Sequence, residues 1–268
     1  MSKFRKFFKA IKLIIRKPYL LNNVLNDESV LKEDFQGAFP GLALKQIRLL
    51  DLMKSEEVIV APYAFLSGSS LATDFALLQL LCRQYQVKDY LEIGTWRGES
   101  AANVAPYVDS VYTFNIGDEQ LLELGLEKNY VDSHRFFSKK VENIHHVFGD
   151  SQTYNFGQLN KTFDLIFIDG DHSTDAVYRD TKKMLSYLKG DKSILVWHDA
   201  KKDTEYPRFD VLTGIYRALP KEMHAHVYLV ENSLCAVYLP FDVASESIEL
   251  NRLPRGSFEL ALKYKSVN

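Results

Sequence analysis

Tyr90-Leu91-Glu92-Ile93-Gly94-Thr95-Trp96-Arg97-Gly98-Glu99-Ser100 is the stretch whose reading decides the fold. A short apolar run ends at Glu92, two glycines follow with three residues between them, and Ser100 opens an amphipathic segment. The pattern predicts strand, glycine turn, helix. Glycine at 94 lets the backbone turn with no Cβ in the way, and at 98 it lets helix and ligand approach closely. The spacing E-x-G-x-x-x-G-x-S differs from the dinucleotide fingerprint G-x-G-x-x-G. A carboxylate at the strand end suits a ligand with an ammonium group and would repel a pyrophosphate, which speaks against a nicotinamide-dependent oxidoreductase. An ordinary βα turn with no ligand is the plain alternative.

Outward from this stretch the chain alternates. Strands are expected at about 89–93, 110–115, 144–148, 163–168 and 193–198, separated by helical or mixed segments. That order predicts a parallel sheet with helices on both faces. A helix over about 72–85 should lead into the first strand, capped by Ser69 or Ser70. After a helix near 207–218, the β-rich runs His226–Glu231 and Ser233–Leu239 predict an antiparallel hairpin at the sheet edge. The alternation Phe258-Glu259-Leu260-Ala261-Leu262 suggests one more edge strand. Residues 18–62 lack a clear period and read as short helices and loops.

Charge and cysteine content narrow the class. Lys and Arg number 33 against 35 Asp and Glu, a net charge of −2 over 268 residues, with no global pull toward nucleic acid. Cys82 and Cys235 lie in apolar runs without ligand spacing, which fits a reducing cytoplasm. No run reaches the roughly eighteen apolar residues of a spanning helix. Residues 2–17 stand apart: seven basic residues and no acid, with Phe4, Phe7, Phe8, Ile11, Ile14 and Ile15 at helical spacing. Such a helix lies on an anionic membrane surface, or docks on its own domain or a second subunit to form a homo-oligomer.

Ligands of an open α/β sheet sit beyond the carboxyl ends of its strands. Those ends supply Glu92, Asn115 with Asp118, Asp150-Ser151, Asp169-Gly170-Asp171-His172-Ser173 and His198-Asp199. The last two sets can converge on one divalent cation held by Asp169, His198 and Asp199. Alternatively Asp169, His172 or His198 serves as a general base. Polar residues gather at strand ends in any such protein, and an aspartate there can simply cap the helix near Ser173.

Taken together, 90–100, Gly149-Asp150-Ser151, Phe163–Ser173 with its I-D-G-D-H-S, and Val196-Trp197-His198-Asp199 resemble class I S-adenosylmethionine-dependent methyltransferases. The likeness is to the subgroup of macrolide sugar O-methyltransferases and cephalosporin-hydroxylase-type proteins, over about residues 68–240. It implies a Rossmann-like doubly wound, mostly parallel sheet, with the antiparallel C-terminal edge hairpin and an N-terminal helical extension. It also implies two domains: an extension over 1–67 and a catalytic domain over 68–268. Glu92, Gly94, Thr95, Gly98 and Ser100 would hold the methionine part of the cofactor, and Asp150 with Ser151 the adenine. Asp169 matches the acid that binds cation and substrate in metal-dependent relatives, and His198-Asp199 stands where they keep a ligand pair. Two positions depart from the family: Asn115 replaces the ribose-binding acid, which Asp118 can substitute, and His198 replaces an expected acid.

The resemblance implies methyl transfer from S-adenosylmethionine to an oxygen of a small molecule or sugar, assisted by Mg²⁺ or another divalent cation or by a base. The competing reading is a binding or scaffold protein that kept the fold without turnover. The acceptor would meet loops 61–70, 118–140 and 200–210, where Tyr130, Phe136, Phe137 and Tyr206 can stack on a ring or simply pack.

Overall fold

The computed structural model describes residues 2–54 and 57–266. Among them the strands are β1 (Lys45–Arg48), β2 (Asp89–Ile93), β3 (Ser110–Asn115), β4 (Ile144–Phe148), β5 (Leu165–Ile168), β6 (Ile194–Trp197), β7 (Val227–Glu231), β8 (Ala236–Tyr238) and β9 (Glu246–Ser247). They form one sheet in the order β4-β3-β2-β5-β6-β8-β7-β1-β9. The block from β4 to β6 is parallel throughout, and the chain reverses its winding between β2 and β5. That reversal is the switch point at which a doubly wound sheet opens a ligand crevice.

The helices are α1 (Lys3–Arg16), α2 (Asn22–Leu25), α3 (Glu28–Ala38), α4 (Leu49–Met53), α5 (Ala72–Gln84), α6 (Glu99–Val104), α7 (Asp118–Glu123), α8 (Lys128–Asp132), α9 (Thr174–Met184) and α10 (Phe209–Ala218). Successive strand residues point to opposite faces. Tyr90, Leu165, Phe167, Ile194 and Val196 therefore pack under α5 and α6. Leu91, Ile93, Ile166, Ile168, Leu195 and Trp197 pack under α3, α9 and α10. Burial on both faces is why these strands read as unbroken apolar runs.

The hairpin forms: β7 and β8 pair antiparallel, and β8 pairs antiparallel with β6. The sheet continues beyond it, because β1 adds to β7 in parallel and β9 adds to β1 antiparallel. Residues 45–48, expected among helices and loops, are thus a strand, with Ile47 buried. The strand expected over 257–262 does not form. Its alternating apolar residues find no face to cover: Leu260 and Leu262 are exposed. Nor do Ser69 or Ser70 cap α5. The Asp74 side chain inside its first turn accepts the Leu71 N–H at 2.7 Å instead.

Candidate active site at the strand ends

The glycine turn is wedged between the ends of β3 and β5. The Gly94 N–H donates to the Phe114 carbonyl at 2.9 Å, and the Asp169 N–H donates to the Ile93 carbonyl at 2.8 Å. Gly94 has φ +99°, and a Cβ there would overlap the Asp169 carbonyl oxygen. Gly98 has φ +75°, and its Cβ would overlap the Ser138 side chain. Both positions therefore require glycine for close packing within the chain as well as for the turn. Segment 135–137 clamps the turn from outside: Arg135 N–H to Trp96 carbonyl at 2.7 Å, Phe137 N–H to Arg97 carbonyl at 2.9 Å. Tyr130 packs on the Trp96 ring with centroids 4.4 Å apart, so this aromatic supports the turn.

Beneath the turn Glu92 is fully buried. Tyr90 Oη donates to it at 3.1 Å and Thr113 Oγ1 at 3.3 Å, and the Ser100 hydroxyl also bonds to it. Thr95 in turn meets Thr113 at 2.5 Å. Ser100 and Thr95 are thus held inward as supports of the acid. Burial pushes the Glu92 carboxyl up to about 8, with Asp169 adding to the push and the hydroxyl donors opposing it. No lysine or arginine pairs with it among the described residues. A buried acid without a cation fits a ligand that brings an ammonium group.

At the end of β3 the Asn115 amide donates to the Ile116 carbonyl at 3.2 Å, which leaves its oxygen to accept. Asp118 pairs with Arg135 through Oδ2, while its Oδ1 is buried without a partner. Those two acceptors fit the two hydroxyls of a ribose. Asp150 is exposed, and its Oδ1 accepts the Gln152 N–H at 2.9 Å in the turn after β4. Lys183 of α9 fastens that turn by donating to the carbonyls of Ser151 and Gln152 at 2.7 and 2.8 Å.

The ends of β5 and β6 bring Asp169, His172 and Asp199 together, each offering a donor atom within 4.8 Å of the others. His172 Nε2 lies 3.1 Å from Asp199 Oδ2. Asp199 has φ +53°, a left-handed conformation that aspartate adopts more readily than most residues. Despite burial, which acts the other way, His198, His172 and Arg208 keep its carboxyl below the usual range.

His198, expected among the metal ligands or as a base, has a different placement. Its ring is buried, with Nδ1 3.1 Å from Asp169 Oδ1 and Nε2 3.1 Å from Asp74 Oδ2. Burial opposes protonation, but Asp169, Asp199 and Asp74 outweigh it and raise the imidazole well above its ordinary value. Both ring nitrogens are thus engaged by carboxylates, and His198 also offers a ligand atom to a second buried group with Asp74 and Cys235. His172 stands with Asp169 and Asp199 in the outer group, while His198 bridges Asp169 and Asp74 beneath it.

Asp74 was not legible as a site residue. It sits on α5 and accepts from Ser233 Oγ at 2.6 Å and the Leu234 N–H at 2.9 Å, linking α5, β6 and the β7–β8 turn. Its one sequence signal is a lone acid in the first turn of a leucine-rich helix. Arg97, Glu99 and Asn103 were also missed. Glu99 accepts from the Ala64 N–H at 2.7 Å and Ser69 Oγ at 2.8 Å, and Asn103 accepts from the Ala61 N–H at 2.9 Å. Arg97 donates to the Ser67 carbonyl at 3.0 Å, so loop 61–69 is tied down at the mouth of the site.

Residues 91–200 match the model of a family described as a methyltransferase domain. That match spans β2 to β6, the part of the sheet that carries the glycine turn and the strand-end cluster. No curated protein sequence matches the chain. Among solved structures it is similar to an O-methyltransferase from Bacillus cereus in complex with SAH, at 15% identity over 84% of this chain and 97% of that one, TM-score 0.43. The O-methyltransferase TomG from Streptomyces achromogenes, involved in tomaymycin synthesis, aligns at 17% identity over 82% and 94%, TM-score 0.40. The alignment to a SAM-bound amino pentose methyltransferase from Micromonospora echinaspora, involved in calicheamicin biosynthesis, has 16% identity and TM-score 0.36; it covers 49% of this chain and 51% of that one.

Proposed function

We propose that the protein transfers the methyl group of S-adenosylmethionine to a hydroxyl oxygen of a small molecule or sugar. The observation that carries this reading is a buried, cation-seeking acid, Glu92, one strand away from the Asp169–His172–Asp199 cluster. In this reading Glu92 takes the ammonium of the cofactor, Asn115 and Asp118 accept from its ribose, and Asp150 with Ser151 meets the adenine. Gly94, Thr95, Gly98 and Ser100 shape the turn that holds the methionine part. The cofactor supplies an electrophilic methyl group, so the protein's task is to align an acceptor and take its proton.

Asp169, His172 and Asp199 are the residues that fit a divalent cation such as Mg²⁺ or Mn²⁺, which would supply positive charge for an acceptor oxygen. The same geometry serves without an ion: His172 donates through Nε2 to Asp199 and accepts a proton at Nδ1. Either use favours oxygen over nitrogen acceptors, since a hydroxyl needs help to lose its proton. In this reading the catalytic body takes in residues 28–53 as well as the chain from 68 onward, because β1, Phe35 and Leu49 belong to its sheet and core. Two buried, unpaired thiols support a cytoplasmic setting. No helix among the described residues is long and apolar enough to cross a membrane.

Calorimetric titration with S-adenosylmethionine tests the reading. Binding is expected, with Glu92→Gln weakening it by about 1–3 kcal/mol, the scale of a hydrogen bond to a charged group. A second titration with Mn²⁺ after chelation separates the two uses of the cluster. Heat that vanishes in Asp199→Ala supports the metal, and no heat in either protein supports the His172–Asp199 pair as base. The second reading, a binding module without turnover, is favoured by Asn115 in place of an acid and by the Arg135 ion pair on Asp118. Failure of the intact protein to bind the cofactor would decide for it.

A further inference from the structure

Helix α1 has no buried residue. Phe4 is 77% exposed, Ile15 74%, Phe8 64% and Phe7 59%. At about 100° per residue, Phe4, Phe7, Phe8, Ile11, Ile14 and Ile15 fall in one arc of about 120°. Lys12 borders that arc beside Phe8 and Lys3 borders it beside Ile14, while the other basic residues fill the opposite face around Leu13. The seven positive charges of residues 2–17 belong to a chain of net charge −2, so the remainder carries −9. Fourteen residues is also close to the ~12–15 below which an isolated helix is marginal in water. Its first turn holds no acid to offset the helix dipole. Both facts call for something that covers the apolar arc.

We propose that α1 docks on an anionic lipid surface, lying in the interface plane with its phenylalanines below the headgroups. The charge pattern selects this occupant. Basic residues flank the apolar arc on both margins and no acid interrupts them, so lysine stems can lie along the lipid with their ammonium groups among the phosphates. The turn after α1 extends the surface: Pro18 ends the helix, and Tyr19, Leu21 and Leu25 are exposed just beyond it. The site at the strand ends is not involved, so this inference stands or falls separately from the methyl-transfer reading.

The test is flotation of the full chain with vesicles of phosphatidylcholine, pure or containing about a quarter phosphatidylglycerol. At low salt, at least about tenfold more protein is expected on the anionic vesicles, with most released in about 0.5 M NaCl, where surface charges are screened. Phe7→Ser with Ile11→Ser, and separately Lys6→Glu with Lys9→Glu, should each abolish binding. The melting temperature should stay unchanged, because α1 buries nothing in the folded body. Wild-type protein that stays unbound, or binds neutral and anionic vesicles equally, overturns the proposal, as does retained binding in the Phe7/Ile11 variant. A dimer by light scattering that disperses in that variant, with no vesicle binding, would identify a second copy as the occupant instead and equally overturns it.

Discussion

Glu92 ties stability, pH and ligand binding together in one side chain. Its carboxyl, held at about 8 by burial, keeps its proton at neutral pH in the folded protein, whereas the unfolded chain ionises at the ordinary value of 4.5. Between those values the native state binds more protons, so the burden on stability grows as pH rises and is complete above about 8. Glu92→Gln should therefore stabilise the ligand-free protein by at least about 1 kcal/mol at pH 8 and by almost nothing near pH 4.5, read by denaturant unfolding. The same substitution should weaken cofactor binding. An ammonium group entering beside Glu92 would also expel its proton. Calorimetry at pH 7 in buffers of different ionisation enthalpy should show release of up to about one proton in the wild type and none in the variant. No buffer dependence would mean that the ammonium lies elsewhere. His198 runs the other way. With its imidazole raised, the stability it contributes is present below pH 6.5 and lost only as pH climbs through the higher folded value. A proton NMR titration should find His198 titrating above 6.5, and Asp74→Asn should lower its pKa while destabilising the fold by about 3 kcal/mol, the scale for halving a buried pair.

Helix α6 shows how an element of six residues positions a loop far longer than itself. Glu99 and Asn103, four residues apart on one face, receive the N–H groups of Ala64 and Ala61, and Arg97 grips the loop from the other side. Glu99→Ala would strand the Ala64 N–H and leave Arg97 buried without its acid. A loss of about 2–4 kcal/mol is expected, with faster proteolysis inside 61–69 by mass spectrometry of the fragments. Strands β2, β3 and β4 were legible to the residue, because each is a short β-prone run rich in branched and aromatic residues and bounded by polar or turn residues. Strand β1 was not. Lys45-Gln46-Ile47-Arg48 is too short for a period and buries Gln46 and Ile47 only by pairing with β7, some 180 residues on. The strand-end acids were legible for their type, and the glycine turn for its spacing. Their division of labour was not: Asp74 meets His198 across 124 residues, a contact that no local spacing encodes.

At the scale of the whole molecule, the question is where the body that folds begins. The resemblance implies a boundary between 67 and 68, yet β1 lies inside the sheet between β7 and β9. Leu49, in the helix that follows it, is fully buried. Phe35 of α3 packs on Phe209 and Tyr216 of α10, with ring centroids 5.5 and 5.7 Å apart. Residues 28–53 thus supply one sheet strand and part of both core layers, while α1 supplies neither. Truncation should therefore act in steps. Deleting 2–17 should leave the melting temperature unchanged, since no side chain of α1 is buried. Deleting through residue 27 should cost little more. Deleting through residue 53 exposes β7 and β9 as free edges and removes Phe35, Ile47 and Leu49 at about 2–5 kcal/mol each, the scale of a large core side chain. That sum is comparable to the ~5–15 kcal/mol by which a domain is stable at all, so the protein should be recovered aggregated or unfolded. Thermal unfolding of the three truncations, followed by circular dichroism, checks the order. A cooperative transition at the wild-type temperature in the last of them would show that the fold does not need β1 and would restore the boundary at residue 68.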